Sequence, residues 1–186
     1  MKERKIMPFD KNFVPALRFA VISDIHIDDE DCIEEQRFAK ALDDLKNLCS
    51  SDERYSGFDA LVIVGDFASR GSEIQMRKVK KILDAGLPAD VRLIMTMASH
   101  EYMTDGEENA LRRFDEIFGL TPDTHAVING FDFIAVTTTR GCHFDDKKRG
   151  FISAELEKAA ERDGKKPMFF FQHPHITDTV YGSTNL

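Results

Sequence analysis

The stretch DALVIVGDFASRGSE, residues 59–73, decides the fold. Its run of five apolar residues, Ala60 to Val64, is continuous, short and rich in β-branched side chains, which marks a buried strand. The run stops abruptly at Gly65-Asp66. A helix is then expected over 72–85, with Ile74, Val79, Ile82 and Leu83 on its inner side and Gly86 and Pro88 as stop signals. A strand that hands over to a helix through a polar turn is the building unit of an α/β protein.

The same unit recurs on either side. Upstream, ALRFAVI (16–22) is an apolar run followed by the polar turn SDIHIDDED. Phe38, Ala41, Leu42, Leu45, Leu48 and Cys49 then recur at three- and four-residue steps, which predicts a helix over 34–49. Downstream, VRLIMTM (91–97) predicts a third strand, and Ala110, Leu111, Phe114, Ile117 and Phe118 stripe a third helix that Gly119 ends. The pattern changes at HAVINGFDFIAVTT, where two apolar runs flank Asn129-Gly130, a strong hairpin signal. A fourth helix over 153–162, with Leu156, Ala159 and Ala160 inward, and a last strand, MFFFQ (168–172), complete the series. Residues 1–15 read as an extended lead-in. No repeat or linker interrupts the chain, so residues 1–186 read as one α/β domain with a mixed sheet.

Composition narrows the function classes. With 25 basic and 33 acidic residues the net charge is −8, which argues against a nucleic-acid or anionic-membrane surface. A phosphate ester remains admissible as substrate, because a bound cation reverses the local sign. The three cysteines, Cys32, Cys49 and Cys142, have no Cys-x-x-Cys spacing and read as free thiols of a reducing compartment. No apolar stretch reaches membrane-spanning length and no signal-peptide core follows the charged N-terminus, so a cytoplasmic location is the default expectation.

Four of the strands end alike. The first ends in Asp24-Ile25-His26, the second in Gly65-Asp66, the third in Ser99-His100-Glu101, and the last in His173-Pro174-His175. Open α/β sheets bind ligands beyond the carboxyl ends of their strands. Ends loaded with Asp and His, and almost free of Lys and Arg, suggest a cation site. Mixed imidazole and carboxylate donors suit Zn, Mn, Fe or Ni better than Ca, which takes oxygen ligands. Each ending alone has a plainer reading as a surface turn or a buried histidine. Their conjunction, in order after the best strands, carries the argument.

Taken in order, Asp24-x-His26, Gly65-Asp66-x-x-Ser69, Ala98-Ser99-His100-Glu101 and His173 resemble the motifs of the calcineurin-like metallophosphoesterases. The resemblance runs from about residue 17 to 175. It implies a four-layer αββα sandwich of two mixed sheets flanked by helices. It also implies a dinuclear centre of two divalent or transition-metal ions (Mn, Fe, Zn or Ni), roughly 3.5–4 Å apart in such sites, that hydrolyses phosphoesters. Asp24 and His26 would bind the first metal, Asp66 would bridge, and His173 would bind the second. An extended Asp24-x-His26 segment would point both side chains the same way. His100 would be the acid that protonates the leaving oxygen, with Glu101 orienting it and Ser69 standing where an orienting Asp or Asn is common. The implied substrate is a phosphorylated small molecule or nucleotide.

Two departures stand against the family pattern. Ser99 occupies the position of an Asn that ligates the second metal, after Ala98 in place of Gly. No Gly-His-x-His motif, which supplies one ligand to each metal, occurs in the sequence, so the expected fold is incomplete at its C-terminal end. The alternative function is therefore a catalytically weak module, or a fragment of the enzyme, that keeps the fold and binds without turnover. His125, His143 and His175 are the candidates to replace the missing pair, with surface or hydrogen-bonded roles the plainer reading. Arg70 is a candidate substrate contact, and Lys147-Lys148-Arg149, facing Asp145-Asp146, reads as a solvated loop. A nucleotide-binding doubly wound domain is a weaker reading still, since no Gly-x-Gly-x-x-Gly or Gly-Lys-Ser/Thr loop exists.

Overall fold

The computed structural model describes residues 12–138, 144–162, 166–176 and 179. Strand β1 (Phe19–Ile22), helix α1 (Ile33–Ser50), strand β2 (Ala60–Val64), helix α2 (Glu73–Gly86) and strand β3 (Arg92–Thr96) form the first half. A 3₁₀ turn, His100–Tyr102, precedes α3 (Glu107–Phe118), β4 (Thr124–Ile128), β5 (Phe131–Ala135), α4 (Asp146–Glu161) and β6 (Met168–Phe171). The first sheet has the order β1-β2-β3 with both pairings parallel. The second has the order β4-β5-β6, with β4 antiparallel and β6 parallel to β5. Parallel pairing puts the carboxyl ends of β1, β2 and β3 on one side of the molecule, which is the condition for a shared site.

Strand β2 shows how the layers are assembled. All five of its residues are buried, as a strand covered on both faces requires. Leu61 and Ile63 face a core built with Phe38 and Leu42 of α1, Met76, Val79 and Leu83 of α2, and Phe114 of α3. Ala60, Val62 and Val64 face the second sheet, against Phe133 and Ala135 of β5 and the half-buried Phe19, Phe169 and Phe171. The four phenylalanines of that inter-sheet core meet at centroid distances of 4.8–6.0 Å, mostly edge to face. Helix α4 packs on the outer face of β5. Helices α1, α2 and α3, two sheets and α4 thus form the expected αββα layers. Among the described residues, no helix is long and apolar enough to cross a membrane.

Several local expectations shift. In α1, Leu48 is exposed rather than inward, and Ala41 is also exposed. In α2, Ile74 points outward, and Gln75, Met76, Val79 and Leu83 form the buried face. The reason is the cap: Ser72 and Gln75 make a reciprocal capping box, which sets the phase of the first turn and turns the Gln75 amide inward. Helix α4 begins at Asp146, seven residues before the expected start, because Asp145 caps it through a hydrogen bond from the Lys148 backbone N–H. Lys147, Lys148 and Arg149 therefore lie on a helix, not a loop. Lys148 is buried and paired with Asp123 at 2.7 Å, and Arg149 pairs with Asp146. Leu156 and Ala159 are half-buried and Ala160 is exposed, while Glu155 takes the inward position. The Asn129-Gly130 hairpin forms as expected, both residues having positive φ.

Candidate metal centre

At the carboxyl ends of the first sheet, the chain leaves β1 and β2 together. Backbone N–H groups of Asp24, His26 and Ile27 donate to the carbonyls of Gly65, Asp66 and Phe67, and Ser69 N–H returns to Ile27. This short ladder continues the sheet's pairing past its last strand residues. Ile25 and Ile27 are buried in the core, so Asp24 and His26 are turned the other way. The segment is not the extended one expected: Asp24, His26 and Asp66 have φ of 56°, 53° and 52°. Left-handed backbone is uncommon for residues with a side chain and costs of order 1–3 kcal/mol each when held in place by the surroundings. Three of the four non-glycine residues with positive φ among the described residues are candidate ligands.

The ladder requires glycine at 65. Its φ is +68°, and a Cβ there would lie 2.6 Å from the Ala98 Cβ and 3.1 Å from His173 Nδ1. Ala98, standing where the family pattern has Gly, fills the space that Gly65 leaves.

The structure brings all five expected site residues together. Ligand atoms of Asp24, Asp66 and His173 lie within 4.8 Å of one another, and so do those of His26, Asp66 and His100. Asp66 belongs to both groups and is buried, whereas the Asp24 side chain is about half exposed. The grouping differs from the one the resemblance implies, in which Asp24 and His26 share a metal. Here His26 stands beside His100, ring centroids 4.6 Å apart and edge to face, and its Nε2 is 3.9 Å from Asp24 Oδ1.

Two of the three rings are oriented by backbone carbonyls. His173 Nδ1 donates to the Val64 carbonyl at 2.7 Å, and His100 Nδ1 donates to the Ser69 carbonyl at 2.8 Å. With Nδ1–H committed, Nε2 of each ring is left for the cluster, the arrangement that metal-binding histidines adopt. His173 Nε2 is 3.3 Å from Asp66 Oδ2. Burial opposes ionisation of Asp66, but the His173 ring, the His100 backbone N–H and the nearby imidazoles outweigh it and hold the carboxyl below its usual range. The Asp66 carboxylate, against the opposing effect of burial, raises His173 to about 9, with help from the Val64 carbonyl. Imidazole and carboxylate donors converging on one buried carboxylate fit a transition-metal or zinc-like cation.

Glu101 does not touch the His100 ring. It is fully buried and accepts three backbone N–H groups: Asp66 and Ala98 on Oε2, Ala68 on Oε1, at 2.8–3.0 Å. Burial pushes its carboxyl up to about 7 against those three bonds. It ties the β3 ending to the β2 ending. The orienting role expected of Glu101 falls to Ser69, through its backbone carbonyl, while the Ser69 hydroxyl donates to the His26 carbonyl at 2.9 Å. Ser99 is half-buried at the start of the 3₁₀ turn and its side chain makes no capping bond.

The remaining candidates lie elsewhere. His175 is exposed and outside both groups. His125 is on the second sheet, bonded to Asp132 and Glu155 at 2.7 Å each. His143 and Cys142 fall outside the described residues. Arg70 is exposed; its backbone N–H donates to Gln75 and its carbonyl accepts from Thr104. Sequence reasoning missed Gln75, whose buried amide fixes the turn after Asp66 by accepting from Arg70 and Ser72; the Ser-x-x-Gln capping pattern was the available signal.

No curated protein matches the chain. The family model for calcineurin-like phosphoesterases matches residues 17–179, from just before β1 to beyond His173. With that match over most of its length, and with the strand endings converging as described, the chain belongs to the calcineurin-like phosphoesterase family.

Proposed function

We propose that the protein hydrolyses phosphoesters at a dinuclear metal centre built on Asp66. One observation carries this reading: two groups of three side chains, each bearing a donor atom, share a single buried carboxylate. Asp24 and His173 would hold one ion with Asp66, and His26 the other, with His100 beside it. Divalent ions in such a centre supply Lewis acidity towards phosphoryl oxygens and acidify a water nucleophile. The chain's own contributions follow from the geometry. Asp66 has two carboxylate oxygens and can serve both groups. His173 and Asp24 flank it from one side. His100, its Nδ1–H held by Ser69, presents Nε2 as the atom that passes a proton to the leaving oxygen. Glu101, itself fully buried, holds the Asp66 backbone in place.

The test is metal titration of the apo protein together with hydrolysis of an aryl phosphoester. Activity is expected to need Mn or a similar ion and to vanish in EDTA. Asp66→Asn is expected to lose bound metal and activity together, because it weakens the ligand common to both groups. Unchanged turnover in Asp66→Asn would refute the shared-carboxylate centre.

A further inference from the structure

The peptide unit that joins Ser69 to Arg70 is hydrogen-bonded at both ends. Its carbonyl, of Ser69, accepts the His100 Nδ1–H at 2.8 Å, and its N–H, of Arg70, donates to Gln75 Oε1 at 2.8 Å. A trans peptide is planar, with its C=O and N–H pointing opposite ways, so one rotation of the plane moves both bonds together. Gln75 is fully buried on the first turn of α2. Its amide can face only one way. The Arg70 and Ser72 N–H groups are donors and need the oxygen, which leaves the NH2 towards Asp28 Oδ1 at 3.4 Å.

We propose that Gln75 is a positioning residue for His100, acting through the peptide between Ser69 and Arg70. The inference rests on the reading of His100 as the group that serves the leaving oxygen. Distances separate this role from helix capping. Gln75 Oε1 is 2.8 Å from the Arg70 nitrogen but 3.3 Å from the Ser72 nitrogen, its capping contact, and ordinary N–H···O bonds span about 2.7–3.2 Å. The Ser69 hydroxyl is engaged with the His26 carbonyl at 2.9 Å, so it is the backbone at this position that holds the His100 ring. The neighbouring peptide planes are fixed by other groups. Ser69 N–H donates to the Ile27 carbonyl at 2.9 Å, and the Arg70 carbonyl accepts the Thr104 N–H at 3.0 Å and hydroxyl at 2.7 Å. A crankshaft rotation of the plane between them is the freedom that Gln75 removes. Its bond to the N–H also polarises the peptide and strengthens the Ser69 carbonyl as an acceptor.

The test compares three variants. Gln75→Met keeps the side chain's length without its amide, Gln75→Glu keeps an oxygen for the Arg70 N–H, and Ser72→Ala removes the other half of the capping box and leaves the Ser69–Arg70 peptide alone. Proton–nitrogen NMR of metal-free protein, isotope-labelled at histidine, reads the rings directly. A bonded Nδ1–H exchanges slowly with water and gives a signal, assigned to His100 by its absence in His100→Asn. That signal is expected to vanish in Gln75→Met and to persist in Gln75→Glu and Ser72→Ala. The His173 signal, from the Nδ1–H bonded to Val64, is expected in all three. In Mn-loaded protein, Gln75→Met is expected to lower kcat about ten-fold for an alkyl phosphate, with KM unchanged. For nitrophenyl phosphate, whose leaving group needs little help from a proton, kcat is expected to stay within about two-fold. Gln75→Glu should restore the alkyl ester's kcat to within about two-fold of wild type. General loosening would slow both esters alike and take the His173 signal too, and would overturn the proposal. A His100 signal that survives in Gln75→Met, or is lost equally in Ser72→Ala, would also overturn it. The expected spectra without wild-type turnover of any ester would keep the positioning of His100 by Gln75 and refute hydrolysis.

Discussion

Asp66 shows how much the site depends on backbone that side chains ordinarily avoid. Its φ of 52° turns its carboxylate towards Asp24 and His173, while its backbone N–H is fixed by Glu101. Glu101 is suited to this because a carboxylate accepts without offering a donor. In Glu101→Gln the amide oxygen can keep the two bonds made by Oε2, but the amide nitrogen then faces the Ala68 N–H, donor against donor. The variant is expected to lose about 1–3 kcal/mol, read as a lower urea midpoint at unchanged slope. An unaltered midpoint would show that the strap is not needed. His100 makes a different prediction. If it acts on the leaving oxygen, His100→Asn retains the metal content and lowers kcat, most for esters with poor leaving groups. A metal-depleted His100→Asn protein would instead make His100 a ligand, as its grouping with His26 and Asp66 allows.

At the scale of elements, the helices are held by different means. Helices α1 to α3 bury apolar stripes on the first sheet, whereas α4 meets the second sheet through charge. Glu155 of α4 takes a bond from His125 of β4, whose other nitrogen reaches Asp132 of β5. Lys158 pairs with Glu155 and Arg162 with Asp132, completing the charged groups around the ring. Lys158 and His125 hold the Glu155 carboxyl below its ordinary value against burial. A depressed folded-state pKa stabilises above the unfolded value, about 4.3, and that stabilisation disappears as pH falls through the folded value. Glu155→Gln is therefore expected to lower Tm by several degrees at pH 7, and by progressively less as the pH falls through the depressed folded value. Thermal melts of both proteins across that range would decide; a pH-independent difference would mean that packing, not charge, holds α4.

The whole molecule couples its two sheets through the phenylalanine core, and the site depends on that coupling. Asp24, His26, Asp66 and His100 follow strands of the first sheet, but His173 follows β6 of the second. Its ring reaches across to the Val64 carbonyl of β2. Phe133, fully buried between the sheets, stacks on Phe171 at 5.7 Å, two residues before His173. Phe133→Ala is expected to cost about 3–5 kcal/mol, a large share of a typical domain stability of about 5–15 kcal/mol. It should also weaken metal binding, because β6 loses its seat. Calorimetry of apo and Mn-loaded protein would show both effects; lost stability with unchanged metal affinity would mean that β5 pairing alone positions His173.

By itself the sequence determined the α/β alternation and the hairpin at Asn129-Gly130, and it placed Asp and His at the strand ends, among which the family resemblance singled out the five that converge. Those rest on properties carried by side-chain type and spacing: apolar runs, helical periodicity, and Asp and His at strand ends. Only the tertiary structure decided how the five are held. The left-handed turns at Asp24, His26 and Asp66 replace the extended segment because the ladder between two loops overrides the local preference. The anchors of His100 and His173 are carbonyls of Ser69 and Val64, and the partners of Glu101 are amide N–H groups. Every residue carries a backbone carbonyl, so no residue letter marks which one orients a ring. The inward Glu155 was hidden for a related reason: helical spacing says which residues share a face, but the opposing surface decides whether that face is core or salt bridge.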